Sequence, residues 1–564
     1  MNAAWLKTYV QQQMEVDDVF DTAFLHGIIF TGSGQEPDGL VAADLNALLT
    51  SWGTTWSKYM AEDRPHRPAS GLYVWKANAL WRAYRLFDDL YGSFMTATRW
   101  CQTSRKYFHL RVSGEEYQAL SVMIPSRIGS SHSEAEPLAG LRFAVKDMYR
   151  VNGLRNTLGN RAYYDVNCPA ITTAAAVQKL LDQGAFLVGL TKLACFAARE
   201  EPAESVDFQA PFNPRADGYQ SPAGSSSGSA AAISSYDFLD FTIGTDTTGS
   251  TRRPAFFNGC FALRPSHGRL PLDGLQLTSE KFDVPSLFCR DIDLCQKVSI
   301  AWLGPDQVIS NLEKKKPPLL LYLLDYLPTS NADQMALLDC FATDLGMSMG
   351  TEVVKLSIAD SWKVNGPAEA HGKTIDEYFE EVATQTFLFD FYHSFQQFRD
   401  DYFNKHHKKP YINDFIQWRW DLGKSITPRQ RNEAFRKVDV YRKWMLEEIL
   451  CQDLREAFVI LPIAEAAPNY RNAQPGPYFK QNAFDALFLA PILGAPEFVV
   501  PIGQVPYESR ISGLVEQLPV AVSVLGLPGT DTRLIEVVRQ CLNETGRPTT
   551  VQTGRHMFPT ERNN

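Results

Sequence analysis

From about residue 138 the chain alternates short apolar runs with amphipathic segments, the pattern of strands interleaved with helices. Leu141–Val145 reads as a buried strand ending at Lys146, Ala174–Gln183 as a helix closed by Gly184, and Phe186–Leu190 as the next strand. A small-residue helix is predicted at Ala230–Ser235, a strand at Phe238–Ile243, and a glycine-containing loop at Gly244–Arg253. Further strands are predicted at Leu319–Leu324, Val353–Leu356, Phe458–Leu461, Phe498–Val500 and Val520–Leu525, with a helix capped by Asn331 and running through Leu345. The expected class is α/β, with one large mixed or parallel sheet covered by helices on both faces.

Two regions depart from this rhythm. Residues 1–125 are rich in Trp and Tyr. Leu80, Trp81, Tyr84, Phe87, Leu90 and Tyr91 are spaced for one helix face, whereas Leu25–Phe30 and Leu72–Trp75 read as strands. An added N-terminal α+β region of unreadable chemistry is therefore expected, followed by a polar linker, SRIGSSHSEAEP, at 126–137 and a main domain at 138–564. Gly32, Gly34 and Gly39 lack the spacing and strand-to-helix context of a dinucleotide-binding turn. Between about 360 and 455, Tyr378, Phe379, Phe387, Phe389, Phe391, Tyr392, Phe395, Phe398, Tyr402 and Phe403 crowd helix-like sequence. This reads as a helical insertion with an aromatic core, some of whose rings wall a pocket.

Composition narrows the function classes. With 45% apolar and 21% charged residues among 564, the chain has the make-up of a globular protein. A net charge of −9 and the lack of a dominant Lys/Arg patch argue against a nucleic-acid partner, and His406–Lys409 reads as a solvated turn. The N-terminal MNAAWLKTYVQQQMEVDD has no apolar signal core, and runs such as Leu319–Leu324 are far too short to span a membrane. A cytoplasmic location is expected. Nine scattered cysteines form no CxxC pair and no metal-ligand spacing, so reduced thiols are expected, with Cys195 and Cys289 as small buried hydrophobes.

The chemistry concentrates in Pro222–Arg269. Gly224–Gly228 and Gly249–Ser250 are two small-residue clusters separated by the predicted helix and strand. One reading is a flexible linker, which leaves the intervening apolar strand unexplained. A second takes Gly224, Ser226 and Gly228 as a GxSxG nucleophile elbow, but the preceding Asp217–Ala223 are turn formers rather than a strand. A third joins Lys146, Ser225 and Ser250. The glycine before each serine lets its hydroxyl sit at a tight turn, and GTDTTGS supplies consecutive amides for an oxyanion. Lys146 at the end of a buried strand can act as base once desolvation lowers its pKa, although Lys146 beside Asp147 also reads as an ordinary paired surface residue.

PAGSSSGSAAA followed by GTDTTGSTRRPAFFNGCFALRPSHGR resembles the signature of the amidase signature family, serine hydrolases with a Ser, cis-Ser, Lys triad. The resemblance extends over roughly 137–545, through PLAGLRFAVKDMYRVNGLRNTLGN, GAFLVGLTKLACFA, Asn213 and Pro214, ILGAPEFVVPIG and LPVAVSVLG. It implies the amidase signature fold, Lys146 as general base, Ser225 as cis-serine relay and Ser250 as nucleophile. It also implies an oxyanion hole at the amides of Thr247, Thr248, Gly249 and Ser250, with Ser226, Asp246 and Arg252 as supporting groups and a cis Gly224–Ser225 peptide. No metal or organic cofactor is implied. Ala223, Ser227 and Thr248 replace the family's usual glycines, Thr251 its isoleucine and Asn258 a frequent cysteine, so access to the site or acyl orientation is expected to differ.

The implied activity is hydrolysis of a carboxylic amide, or an ester, of a fairly hydrophobic small molecule. Acyl transfer through the same acyl-enzyme, a glutaminase-type amidotransferase component, and an inactive scaffold remain alternatives. The N-terminal region is expected to cap the pocket or to form a homodimer contact.

Overall fold

The computed structural model describes residues 2–32, 43–61, 67–114, 116, 119–130, 133–306, 316–451 and 455–559. Its centre is a 12-stranded mixed sheet. From edge to edge the strands are Val353–Leu356, Leu319–Leu323, Ala457–Leu461, Val515–Leu525, Glu497–Glu508, Phe261–Arg264, Val284–Cys289, Phe241–Asp246, Arg142–Lys146, Phe186–Thr191, Phe94–Cys101 and Lys106–Leu110.

Period-two alternation gives the sheet two buried faces. In Leu319–Leu323, the side chains of Leu320 and Tyr322 join one apolar cluster, while Leu319, Leu321 and Leu323 join another. The first cluster packs beneath helices Ala332–Met349 and Asp531–Glu544, which contribute Leu338, Phe341, Leu534 and Val538. The second packs beneath the segment between Val353–Leu356 and Ala457–Leu461, a succession of helices contributing Trp362, Phe379, Tyr441 and Trp444. Asn331 caps Ala332–Met349 by accepting from the Gln334 amide at 3.0 Å.

The helix expected through Leu80–Tyr91 is not formed. Ala79–Arg82 folds back onto Tyr73–Lys76 through Ala77 and Asn78, both at positive φ, and Tyr84–Asp88 pairs with the distant Ser121–Pro125. The i, i+3 spacing of the aromatics mimics a helix face, but long-range ladders overrule it. Nor does the sheet end at the expected linker. Phe94–Cys101 pairs antiparallel with Phe186–Thr191, so part of the first 125 residues completes the sheet beside the strand that ends in Lys146. Within the linker, the Ser126 hydroxyl and Arg127 amide donate to Asp17, and the Arg127 guanidinium pairs with Asp240 at 2.7 Å. Residues 131 and 132 of the linker, and Gly34 and Gly39, lie outside the described residues.

Candidate active site

Arg142–Lys146 lies between Phe186–Thr191 and Phe241–Asp246 and is parallel to both, so the carboxyl ends of three neighbouring strands open at one edge. Crevices at such ends are where side chains from adjacent strands converge on a ligand. Lys146 and Asp246 are the last residues of their strands.

Lys146 is fully buried and faces hydroxyls rather than carboxylates. Its Nζ lies 2.7 Å from Ser225 Oγ, 3.0 Å from Ser226 Oγ and 2.8 Å from Thr245 Oγ1. Burial pushes its pKa down to about 7, against the pull of Asp283 and Asp246, which raise it. Asp147 turns away from Lys146, accepting bonds from Asn156 and from the amide and hydroxyl of Thr157. The surface-pair reading of Lys146 is therefore excluded.

Two of the three hydroxyls around Nζ have their protons committed elsewhere. Ser226 Oγ donates to the Thr245 carbonyl at 3.1 Å, and Thr245 Oγ1 donates to Met148 Sδ at 3.3 Å. A neutral amine carries two N–H groups and one lone pair. With Ser226 and Thr245 limited to accepting, Ser225 is the hydroxyl left to face that lone pair. The Gly224–Ser225 peptide is cis, Ser225 O accepts from the Ala194 amide, and the Ser226 amide donates to the Ser250 carbonyl at 3.1 Å. That last bond ties the serine cluster to the second loop.

The loop from Asp246 to Thr251 is folded around one buried carboxylate. Asp246 accepts from the amides of Gly249 at 3.0 Å and Thr251 at 2.9 Å, and from the guanidiniums of Arg252 and Arg264. Burial alone would raise its pKa, but the two arginines hold it well below the usual carboxylate range. Arg252 also reaches Glu497 at 2.7 Å, fixing the loop to the Glu497–Glu508 strand. Gly249 has φ +115°, and a Cβ there would lie 3.0 Å from Leu487 Cδ1, so both backbone and space call for glycine. Of the four amides expected to face an oxyanion, that of Gly249 donates to Asp246. Among the described residues, the amides of Thr247, Thr248 and Ser250 have no protein acceptor.

Ser250 is half-buried and borders a narrow cavity of about 20 Å³, shared with Gly224, Thr247, Phe387, Leu487 and Arg253. Phe387 is the aromatic of the insertion that reaches this space; Phe379, Phe391, Phe395 and Phe398 are buried in the apolar clusters instead. Sequence reasoning missed Thr245 and Asp283. Thr245 follows its strand's alternation onto the face of Ile243, whereas Asp283 is brought in by the Val284–Cys289 strand and accepts from Thr247 Oγ1 at 2.5 Å. Among the described residues, no group of acidic, His and Cys side chains is arranged to hold a metal ion, and no helix is long and apolar enough to cross a membrane. All nine cysteines are unpaired, with Cys195 and Cys289 buried.

Comparison with known proteins bears on this arrangement. The family model described as Amidase matches residues 118–321, the segment holding Lys146 and both serine loops. Amidase 1 of Arabidopsis thaliana is 29% identical over 425 residues, covering 72% of this chain and 94% of that protein. Both likenesses are to amidases. The chain is, on these likenesses, an amide-hydrolysing enzyme. It is also 37% identical to a glutamyl-tRNA(Gln) amidotransferase component of Thermus thermophilus, but over 172 residues, which are 30% of this chain and 35% of that protein. Its fold resembles a crystal structure of an amidase at a TM-score of 0.55 and 22% identity, over 73% of this chain and 86% of the other.

Proposed function

We propose that this amidase cleaves a carboxylic amide of a small molecule through an acyl-enzyme on Ser250, with Ser225 as proton relay and Lys146 as general base. The observation that carries the reading is the 2.7 Å contact between buried Lys146 Nζ and Ser225 Oγ, at a lysine whose pKa is lowered to about 7. An amine neutral near pH 7 takes a proton; an ordinary lysine does not.

The proton inventory around Lys146 gives the relay its direction. Neutral Lys146 uses its N–H groups on Ser226 and Thr245 and takes the proton of Ser225, which takes that of Ser250 as its Oγ attacks the acyl carbon. The amides of Thr247, Thr248 and Ser250 receive the oxyanion, while Gly249 serves to hold the loop through Asp246. The proton returns through Ser225 to the departing nitrogen, which cannot leave as an amine anion. Water then attacks the ester, and its proton follows the same path. Phe387 and Leu487 offer apolar contact to the substrate.

The chain covers nearly all of the Arabidopsis amidase 1 but about a third of the amidotransferase component, which favours a stand-alone amidase over a glutaminase that works within a larger complex. The unpaired cysteines suit a reducing compartment such as the cytosol.

The test is to incubate the protein with a mixed amide library and weigh the intact protein. A covalent adduct mapping to Ser250 is expected, and Ser250→Ala is expected to lose about a thousandfold or more in kcat/KM. Retention of turnover by Ser250→Ala overturns the assignment. Adding a competing amine separates water from another acyl acceptor by the product formed.

A further inference from the structure

Three arginines line the space beside Ser250. Arg199, Arg253 and Arg419 line it together with Ser250 and Thr247–Gly249, and the same three line the wider cleft of about 350 Å³ outside. They therefore stand at the neck between cleft and nucleophile. They come from separate parts of the chain: Arg199 from the loop after Cys195–Ala197, Arg253 from the helix Arg252–Asn258, and Arg419 from the insertion helix Asp414–Ser425.

These cations are poorly compensated. Arg253 is 8% and Arg419 6% exposed, and Arg253 Nη1 and Arg419 Nε have no hydrogen-bond partner. Glu201 lies 3.8 Å from Arg253, too long for a direct charge-assisted bond. Among the described residues, Arg199 and Arg419 form no ion pair, and Arg419 is held instead between the rings of Phe415 at 4.7 Å and Phe387 at 5.5 Å. Glu204 also lines the outer cleft, but its Oε2 accepts the Glu201 amide. Asp485 is occupied as the cap of Ala486–Leu493. Burial, and the repulsion of Arg199, push the guanidinium of Arg253 down to about 10 against the pull of Glu201 and Asp485; burial, with Arg199 and Arg253, pushes that of Arg419 to about 9 against the pull of Glu204. Buried cations with unsatisfied N–H groups are costly to a fold, and these two belong to side chains that border the cleft.

We propose that Arg253 and Arg419, with Arg199 at the rim, form an anion subsite next to Ser250, and that the substrate is an amide bearing a carboxylate. With Glu201 and Asp485 felt at Arg253 and Glu204 at Arg419, the site has no surplus of charge for a phosphate dianion, and the planar fork of arginine matches the two oxygens of a carboxylate. Phe387 borders the inner space and Phe415 the outer cleft, and both offer apolar contact to the stem that joins carboxylate to amide. The substrate half of this inference rests on the Ser250 acyl-enzyme reading; the subsite itself does not.

Two matched pairs of compounds test it. In the first, monoamides of linear dicarboxylic acids are compared with primary amides of monocarboxylic acids of equal length, placing the carboxylate in the acyl part. In the second, N-acylglycines are compared with N-acylethylamines, placing it in the leaving amine. In one pair the carboxylate-bearing member is expected to be favoured in kcat/KM by about a hundredfold, and Arg419→Gln is expected to reduce that ratio at least about tenfold, with Arg419→Lys between them. No preference for the carboxylate in either pair, or a ratio unchanged in Arg419→Gln, overturns the subsite. If Arg419→Gln fails to fold, the wild-type preference and the same ratio in Arg253→Gln decide.

Calorimetric binding of the favoured pair's carboxylate-bearing member to Ser250→Ala, with and without Arg419→Gln, reads the subsite without turnover. Binding lost with Arg419→Gln supports the subsite even if Ser250→Ala still hydrolyses the amide, which would sink the nucleophile alone. Equal binding to both proteins sinks the subsite and leaves the nucleophile standing.

Discussion

Lys146 is where burial becomes chemistry. Its neutral form is favoured by desolvation and its charged form by Asp283 and Asp246, and the balance falls at about 7. Below that value the amine is protonated and has no lone pair for Ser225, so log kcat/KM is expected to rise with pH and level off above about 7. A pH–rate profile at saturating buffer capacity checks it; a flat profile through the acidic range would remove Lys146 from the role of base. The sign of a second change follows from the same balance. Asp283→Asn removes a charge that raises the lysine pKa, so the acidic limb is expected to move to lower pH, whereas a limb that stays put would mean that Asp283 is not felt at Nζ. Folding has a matching signature. Because the folded pKa lies below the ordinary lysine value, the unfolded chain binds the extra proton between about 7 and that value, and this group's contribution to stability rises with pH across the window.

The loop Asp246–Thr251 and the helix behind it depend on one carboxylate serving two amides and two guanidiniums. Replacing Asp246 by Asn leaves Arg252 and Arg264 buried with one anion, Glu497, between them. Breaking such a network costs about 3–5 kcal/mol, so Asp246→Asn is expected to lower the urea midpoint substantially with an unchanged slope, and to reduce kcat as the loop loses its shape. An Asp246→Asn protein as stable as wild type would show that the network contributes little. This loop was legible in sequence because its signals are local, an apolar run followed by a glycine before Ser250, with Asp246 and Arg252 added by the family resemblance. The strand itself is displaced from the expected Phe238–Ile243 to Phe241–Asp246, so Gly244–Asp246 belong to it and not to the loop. Lys146 was legible as the end of an apolar run. Thr245, Asp283 and Arg419 were not, since each acts through strands or helices brought together from elsewhere in the chain. The Leu80–Tyr91 stretch misled for the same reason, its aromatic spacing carrying no record of the partner at Ser121–Pro125.

The polar 126–137 stretch suggests a boundary, yet the packing runs across it. Asp89, buried, accepts the amides of Ser93 and Phe94 and the hydroxyl of Tyr236 at 2.6 Å, joining the N-terminal strands to the end of the helix that follows the serine cluster. Gly228 at the start of that helix lies so close to Ser93 that a Cβ would meet its carbonyl at 2.5 Å. Asp18 pairs with the fully buried Arg142 at 2.7 Å, at the root of the Lys146 strand. Removing residues 1–125 would therefore uncover the Phe186–Thr191 strand as an edge, leave Arg142 buried without its carboxylate, and take away the surface against which the Ser225–Gly228 turn is set. The 126–564 fragment expressed alone is expected to be insoluble or to lack a cooperative thermal transition, and co-expression with 1–125 is expected to restore both the transition and turnover. A 126–564 fragment that unfolds cooperatively and turns over like the full chain would instead make the first 125 residues a separable appendage. The experiment distinguishes the two because Gly228, packed against Ser93, is three residues from Ser225, so loss of that contact is expected to displace Ser225 from Lys146.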